Sequence, residues 1–241
     1  MIKTFKESDD NYGWRRIKKE IFDKEGITIS RRLIRRIMRK NNLFSSYQTA
    51  YYKHYSKKPG VNRANTINEL NREFDNHEKH HVIVSDLTYI KVRNKWNYLC
   101  FIIDLYNREI IGYSVGVKKD ASLVTEAFMN IDFSLEEIEM FHTDRGLEFA
   151  NKKIDDILSA FKIKRSLSNP GVPYDNAVSE STYQKTKIEF VRKRNFDSIE
   201  ELKRETFSYV WWYNHKRLHS SLGYMSPINY RLNLTNQNCL I

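Results

Sequence analysis

The 241-residue sequence has only two cysteines, no apolar run long enough to span a bilayer, no secretory pattern at residues 1–6, no internal repeats and no sustained heptads. Without a spanning run it does not read as a helical membrane protein, and its length allows one good core plus a small satellite domain. Cys100 lies in a strand-like apolar run and Cys239 in the tail, so they read as a buried thiol and a stray thiol rather than a disulfide. That usage fits a reducing cytoplasm.

Positive charge, by contrast, is plentiful and uneven. The net charge is +11, and residues 1–60 hold sixteen Lys/Arg against six Asp/Glu while the remainder hold twenty-five against twenty-four. A basic arm on a nearly neutral body points to a polyanionic partner, with a plain solvated face as the alternative from charge alone.

Within the arm, Trp14, Ile17 and Ile21 fall on one helical face, and Gly26 closes that helix. A second helix opens at Ser30 as N-cap, with Leu33, Ile34, Ile37 and Met38 as its stripe. Arg31, Arg32, Arg35, Arg36 and Arg39 take its other sides. This predicts an all-α, helix-turn-helix-like domain over residues 1–44 that contacts DNA through Arg15, Arg16, Arg31, Arg32, Arg35 and Arg36. A basic hairpin that only packs on the main body is the alternative. Residues 45–77 read as a linker in which Tyr47, Tyr51, Tyr52 and Tyr55 alternate with Lys53, Lys57 and Lys58, before a turn at Pro59-Gly60. These side chains suit either stacking on bases or tacking the linker to the surface. A short element is expected over 65–74.

The main body, residues 78–232, opens with strand-like runs at 82–92, 96–105 and 109–117, whose short joints predict an antiparallel meander. A helix over 121–133, a strand over 138–142, a helix over 154–161 and a strand over 163–167 follow. Pro170, Gly171 and Pro173 then break the chain before a helix that carries Glu180 and runs to about residue 192. A last helix covers 199–214, and residues 233–241 form a tail. That order is the order of a ribonuclease-H-like α/β core, a mixed five-stranded sheet with flanking helices.

Three acids give this core a chemistry. Asp86 is central in the first strand, Asp144 ends the fourth, and Glu180 follows thirty-five intervening residues later, one turn into its helix. Singly they read as a strand-edge residue, a turn former and a solvent-facing acid. Together they make a site for divalent metal and phosphoryl transfer. Two Mg²⁺ ions about 4 Å apart neutralise the attacking and leaving oxygens, and a few carboxylates suffice to hold such hard cations. Lys187, about two turns beyond Glu180 on the same face, suits a DNA phosphate. Asp104 reads as a turn cap with Asn107 and Arg108, and Glu148 as lining the DNA approach. His77, His80 and His81, and the pair His215 and His219 at helical spacing, offer a rival zinc site but lack further ligands.

The runs Tyr12-Gly13-Trp14-Arg15-Arg16-Ile17, Ser85-Asp86-Leu87-Thr88-Tyr89-Ile90, His142-Thr143-Asp144-Arg145-Gly146 and Pro173-Tyr174-Asp175-Asn176-Ala177 carry a resemblance. With them go Glu180, Lys187, Tyr213-Asn214-His215-Lys216-Arg217-Leu218-His219 and Ser226-Pro227. From about Tyr12 to Tyr230 the chain resembles the catalytic subunit, the second-frame product, of IS3-family insertion-sequence transposases in the retroviral-integrase superfamily. The resemblance implies Asp86, Asp144 and Glu180 as the catalytic, metal-binding triad of a DDE-type strand transferase. It implies two Mg²⁺ ions, with Mn²⁺ as substitute, and double-stranded DNA held in part by Lys187, Arg145 and Asn176. Water frees a 3′-hydroxyl at an element end, and that hydroxyl attacks a second phosphodiester without a covalent enzyme–DNA intermediate. Homo-oligomers, or hetero-oligomers with the upstream-frame product or a frameshift fusion, are the implied assemblies, in a bacterial cytoplasm at the nucleoid and away from membranes. Departures are Thr143, where family members often have Ser, and Leu147-Glu148-Phe149, which bear on local DNA contacts only. The upstream terminal-repeat-binding unit and zipper of the family are not found before Tyr12, so this chain is expected to be catalytically equipped but weak at finding its own ends. The competing readings are a non-catalytic DNA-binding regulator or inhibitory fragment and a nuclease of RNA–DNA hybrids.

Overall fold

The basic arm folds into α1 (Ile2–Glu7), α2 (Trp14–Glu25), α3 (Arg31–Lys40) and the single turn α4 (Ser46–Thr49) in the computed structural model, which describes residues 1–49 and 66–238. Tyr51, Tyr52, Tyr55, Lys53, Lys57, Lys58, the Pro59-Gly60 turn and Cys239 lie outside the described residues. Gly26 ends α2 at φ 67, a backbone position that costs glycine least, and its N–H donates to the Phe22 carbonyl. Ser30 caps α3 by accepting from the Leu33 N–H. Ile17, Ile21, Ile34 and Met38 meet Phe5 and Tyr12 in a small core that also takes in Leu218 from the far end of the chain. The arm is therefore docked on the main body as well as folded. The Tyr12 hydroxyl donates to the Lys216 carbonyl (3.0 Å) and accepts from the Leu218 N–H (3.1 Å).

The expected meander forms as β1 (Val82–Val92), β2 (Lys95–Asp104) and β3 (Ile110–Gly116), all antiparallel. A two-residue turn with Arg93 at φ 50 joins β1 to β2. Next come α5 (Ala121–Met129), β4 (Met140–Thr143), α6 (Lys152–Ala160) and β5 (Lys164–Leu167). The sheet order is β3-β2-β1-β4-β5, with β4 parallel to both β1 and β5. Asp120 starts α5 by capping the N–H groups of Ser122 and Leu123. The helix stops at Met129, short of residue 133, where Asn130 turns its side chain to the Tyr113 carbonyl (2.8 Å). Described residues 66–74 form turns rather than a helix or strand, yet Leu70 is buried in the core and its N–H donates to Ser166 Oγ (3.1 Å).

The chain closes with α7 (Ala177–Glu189), α8 (Ile199–His215) and α9 (Pro227–Asn238). Strand periodicity sorts the side chains of β1 onto two faces. Ile83 and Leu87 join Phe128 of α5 and Ile154 of α6, whereas Val84 and Ile90 join Tyr183 of α7 and Tyr209 of α8. The core is the mixed five-stranded, ribonuclease-H-like α/β fold expected, preceded by the helix-turn-helix-like unit. Asp86 shares the even-numbered face of β1 with Val84 and Ile90, the face that α7 covers.

Candidate active site

Register brings the first two acids side by side. Ser85 pairs with Thr143 at the last step of the parallel β1–β4 ladder, so Asp86 and Asp144 leave neighbouring strands one residue further on, with their Cβ atoms directed to one face. Asp86 is buried, and its Oδ1 accepts from the Leu87 N–H (2.7 Å). Asp144 is partly exposed, and its Oδ1 accepts from the Gly146 N–H (2.9 Å).

Two side chains tie α7 to that spot on β1. Asn176 Nδ2 donates to the Ser85 carbonyl (3.2 Å), and the Tyr183 hydroxyl donates to the Asp86 carbonyl while accepting from the Phe101 N–H. Tyr183 also stacks on Phe101, ring centroids 5.3 Å apart. Glu180 lies one turn from each anchor, four residues after Asn176 and three before Tyr183, so it rises from the same helix face into solvent. Tyr183 has its pKa pushed well up, first by burial and then by surrounding negative charge that includes Asp86 and Asp144. The backbones of the three acids thus converge. As the side chains stand, no three His, Cys, Asp or Glu groups among the described residues are close enough to hold an ion between them.

The donors around this spot are hard oxygens. Cys100 lies behind Asp86 with Sγ 3.5 Å from Ser85 Oγ, and burial pushes its thiol up to about 12, so it stays protonated. His142 faces Ser166 Oγ (2.8 Å) and Ser168 Oγ (3.1 Å), and burial lowers its pKa to about 4. Carboxylates without thiolate or imidazole suit Mg²⁺ or Mn²⁺ rather than zinc. The other histidines are engaged elsewhere. His80 meets Glu137 (2.6 Å) and stacks on Phe133, while α8 ends at His215, so His219 is not on a shared helix with it.

Asp104 is the turn cap expected, accepting from Tyr106 and His80 N–H groups, and burial raises its pKa. Glu148 is placed differently from its expected role on the DNA approach. It is buried, paired with Lys119 Nζ (2.8 Å), and folded so closely over Gly146 that a Cβ there would lie 2.4 Å from its Oε1.

The expected DNA contacts divide into outward and inward groups. Arg31, Arg32, Arg35 and Arg36, with Arg39, line an open groove of about 580 Å³ along α3. Arg15 and Arg31 lie 4.7 and 5.0 Å from the Trp14 ring centre. Lys187 Nζ sits 4.7 Å from the Tyr89 ring centre, on the Glu180 side of α7. Arg16 instead turns inward between the Tyr12 and Tyr47 rings, 3.7 Å from Glu189. Asn176 is buried on the Ser85 carbonyl, and Arg145 donates to the Ser168 and Thr66 carbonyls (2.9 and 2.8 Å). All three serve the protein's own scaffold here.

Sequence reasoning missed the buried knot at the other end of α7. Glu189 accepts from Arg217 Nε (2.7 Å) and Nη2 (2.8 Å) and from the Tyr47 hydroxyl. No local pattern marks it, because Arg217 and Tyr47 are 28 and 142 residues from Glu189.

Strand order and flanking helices define a ribonuclease-H-like core. An integrase core domain model matches residues 76–173, a second integrase core domain model matches 161–227, and a helix-turn-helix-like domain model matches 1–51. The chain is 31% identical over 229 residues to the transposase for insertion sequence element IS904 of Lactococcus lactis, covering 93% of this chain and 88% of that one. It is 29% identical over 231 residues to the putative transposase InsK for insertion sequence element IS150 of Escherichia coli, covering 94% and 80%. The HTLV-2 integrase catalytic core domain, solved in complex with magnesium, aligns over 63% of this chain and 95% of that one at 15% identity and a TM-score of 0.49. The chain belongs to the insertion-sequence transposases with an integrase core, and it is an enzyme of DNA cleavage and strand transfer that binds DNA. Among the described residues no helix is long and apolar enough to cross a membrane.

Proposed function

We propose that Asp86, Asp144 and Glu180 are the acids of an IS3-type strand transferase, together holding a pair of Mg²⁺ ions for which Mn²⁺ substitutes. The observation that carries this reading is the pinning of α7 by Asn176 and Tyr183 to the Ser85–Asp86 step, with Glu180 between them. When bound, the ions neutralise the charge that develops on the attacking and leaving oxygens of a phosphodiester. Asp86 Oδ1 and Asp144 Oδ1 accept from the Leu87 and Gly146 N–H groups, and Glu180 is exposed. Bringing them onto shared ions requires side-chain rotation, with the backbone already in register. Asn176 Oδ1 and Ser179 Oγ, buried and without a hydrogen-bond partner, suit ordered water beside the site.

In this reading water attacks the phosphodiester at the element end and the 3′-oxygen leaves as a hydroxyl. That hydroxyl then attacks a second phosphodiester and expels its 3′-oxygen. Lys187 holds a flanking phosphate, and the outward arginines Arg15, Arg31, Arg32, Arg35 and Arg36 hold duplex backbone. Residues 1–44 act as the DNA-binding unit and 78–232 as the catalytic core. The working assembly is an oligomer of this chain, alone or with an upstream-frame product, in a bacterial cytoplasm.

A strand-transfer assay on a pre-cut element end in Mg²⁺ or Mn²⁺ tests the reading. Wild type forms joined products, and Glu180→Gln loses them while binding DNA as before. Wild-type protein that binds ends but joins nothing supports the non-catalytic regulator instead.

A further inference from the structure

The tip of the β1–β2 hairpin carries two large rings that the fold leaves in solvent. Tyr89 is 43% and Trp96 55% exposed, and their ring centroids stand 5.0 Å apart at an interplanar angle of 87°. Burial would have stabilised such a pair in proportion to its apolar area. The cover is missing because β4 ends at Thr143, opposite Ser85, and β1 runs on to Val92 past its neighbour. Around the rings the charge has one sign. Lys187 Nζ is 4.7 Å from the Tyr89 ring centre, Lys91, Arg93 and Lys95 are exposed, and residues 87–99 contain no Asp or Glu. Asp197 approaches only from the edge, 3.8 Å from Arg93. Tyr89 follows Asp86 by three residues on β1, roughly 10 Å at the rise of an extended chain, and leaves the strand from the opposite face, where the Lys187 ammonium from α7 still reaches its ring.

We propose that Tyr89 and Trp96 form a stacking platform for an unpaired base of the DNA beside the reacting phosphodiester, with Lys187, Lys91 and Lys95 against the flanking phosphates. The ligand must offer a flat π-face and negative charge within a few ångströms of each other, and a nucleotide offers both. An intact duplex hides its base faces in its own stack, so exposed rings at this end of β1 suit a nucleotide freed from pairing. An apolar protein surface would cover the rings but offer nothing to the exposed ammonium groups of Lys91 and Lys95 beside them. The inference rests on the strand-transfer reading only for which strand arrives there. The stacking itself needs no chemistry.

Binding of a blunt duplex and of the same duplex with three unpaired terminal nucleotides, one of them 2-aminopurine, tests this in Ca²⁺ with the full chain. The expected result is a preference of about tenfold for the frayed end, within the range of a single base–aromatic stack, with quenching of the 2-aminopurine. Trp96→Ala abolishes preference and quenching but leaves blunt-duplex binding unchanged, and Trp96→Phe retains most of both. A wild type without preference, or Trp96→Ala that binds and quenches like wild type, overturns the platform, as does a self-association that Trp96→Ala alone removes. Strand transfer on the pre-cut blunt end is scored in parallel. Joined products without a frayed-end preference sink the platform alone, whereas preference without joined products sinks the strand-transfer reading alone.

Discussion

Arg217 meets Glu189 through two parallel hydrogen bonds, Nε to Oε2 at 2.7 Å and Nη2 to Oε1 at 2.8 Å, with both side chains all but excluded from solvent. This pair joins the tail run to the end of the helix that carries Glu180 and Lys187. Tyr47 and Arg16 add the N-terminal unit to the same carboxylate. Burial would raise the Glu189 pKa, but Arg217, above all, holds it below the ordinary carboxylate value.

Removing one partner strands the other charge in the interior. Arg217→Ala is expected to destabilise the protein by about 3–5 kcal/mol, read from urea unfolding. A Glu189→Leu, Arg217→Met double variant recovers only part of that loss, because the inward-turned Arg16 and the Tyr47 hydroxyl still lose their carboxylate. A double variant as unstable as the single one would contradict this account of the knot.

His219 makes acid the destabilising direction. Its Nε2 faces Arg217 Nη1 at 3.0 Å, and a guanidinium only donates, so the imidazole must be the neutral acceptor. Burial first, then the positive charges of Arg217, Lys185, Arg16 and Arg108, hold its pKa well below the usual 6.5. The unfolded chain binds a proton near pH 6.5 while the folded chain does not. The stability tied to His219 is therefore full above that pH and falls below it, by at most about 1.4 kcal/mol per pH unit, and His142, lowered to about 4 by burial, adds a fall of the same sign. Unfolding measured from pH 7.5 to 5 should show this slope in wild type and a slope shallower by up to one proton in His219→Gln.

Tyr183 tests the pinning of α7. Tyr183→Phe deletes one hydroxyl and strands the buried Phe101 N–H and Asp86 carbonyl. A stability loss of about 1–3 kcal/mol is expected. Strand-transfer activity should fall by more than the unfolded fraction explains, since Glu180 loses its nearest anchor. Activity that tracks only the folded fraction would confine Tyr183 to a packing role.

Gly112 is a packing constraint that lies away from the acids. A Cβ there would sit 2.4 Å from the backbone oxygen of Ala127, so β3 and α5 would have to separate. Gly112→Ala is expected to cost about 1–3 kcal/mol in thermal or urea unfolding. A neutral result would mean that α5 shifts freely on the sheet.

Much of this molecule was legible because periodic patterns are local. The strand-like runs at 82–92, 96–105 and 109–117 with their short joints marked the meander, Ser30 and Asp120 marked helix starts, and Gly26 marked a helix end. The acids were legible as a set because each follows or opens such an element. Other features depend on distant partners. Arg217 stood out only as part of the tail run that carries the resemblance, and only the fold brings Glu189, Tyr47 and His219 around it. Arg16 and Asn176 looked like DNA contacts for the same reason, since no local signal separates a cation or amide turned to solvent from one turned inward. α1 and α9 went unread because short, polar helices carry weak stripes, even though Pro227 at the head of α9 after Ser226 is a start signal.

The central claim is that three carboxylates on three elements share divalent cations. Crystals grown with Mn²⁺ allow it to be read directly from anomalous scattering. The account predicts density between Asp86 and Asp144, with carboxylate oxygens of both and of Glu180 at about 2.1 Å from metal. It also predicts loss of that density in Asp86→Asn. Manganese bound elsewhere, or a wild-type site in which Glu180 stays turned to solvent while Asp86 and Asp144 bind nothing, would contradict it.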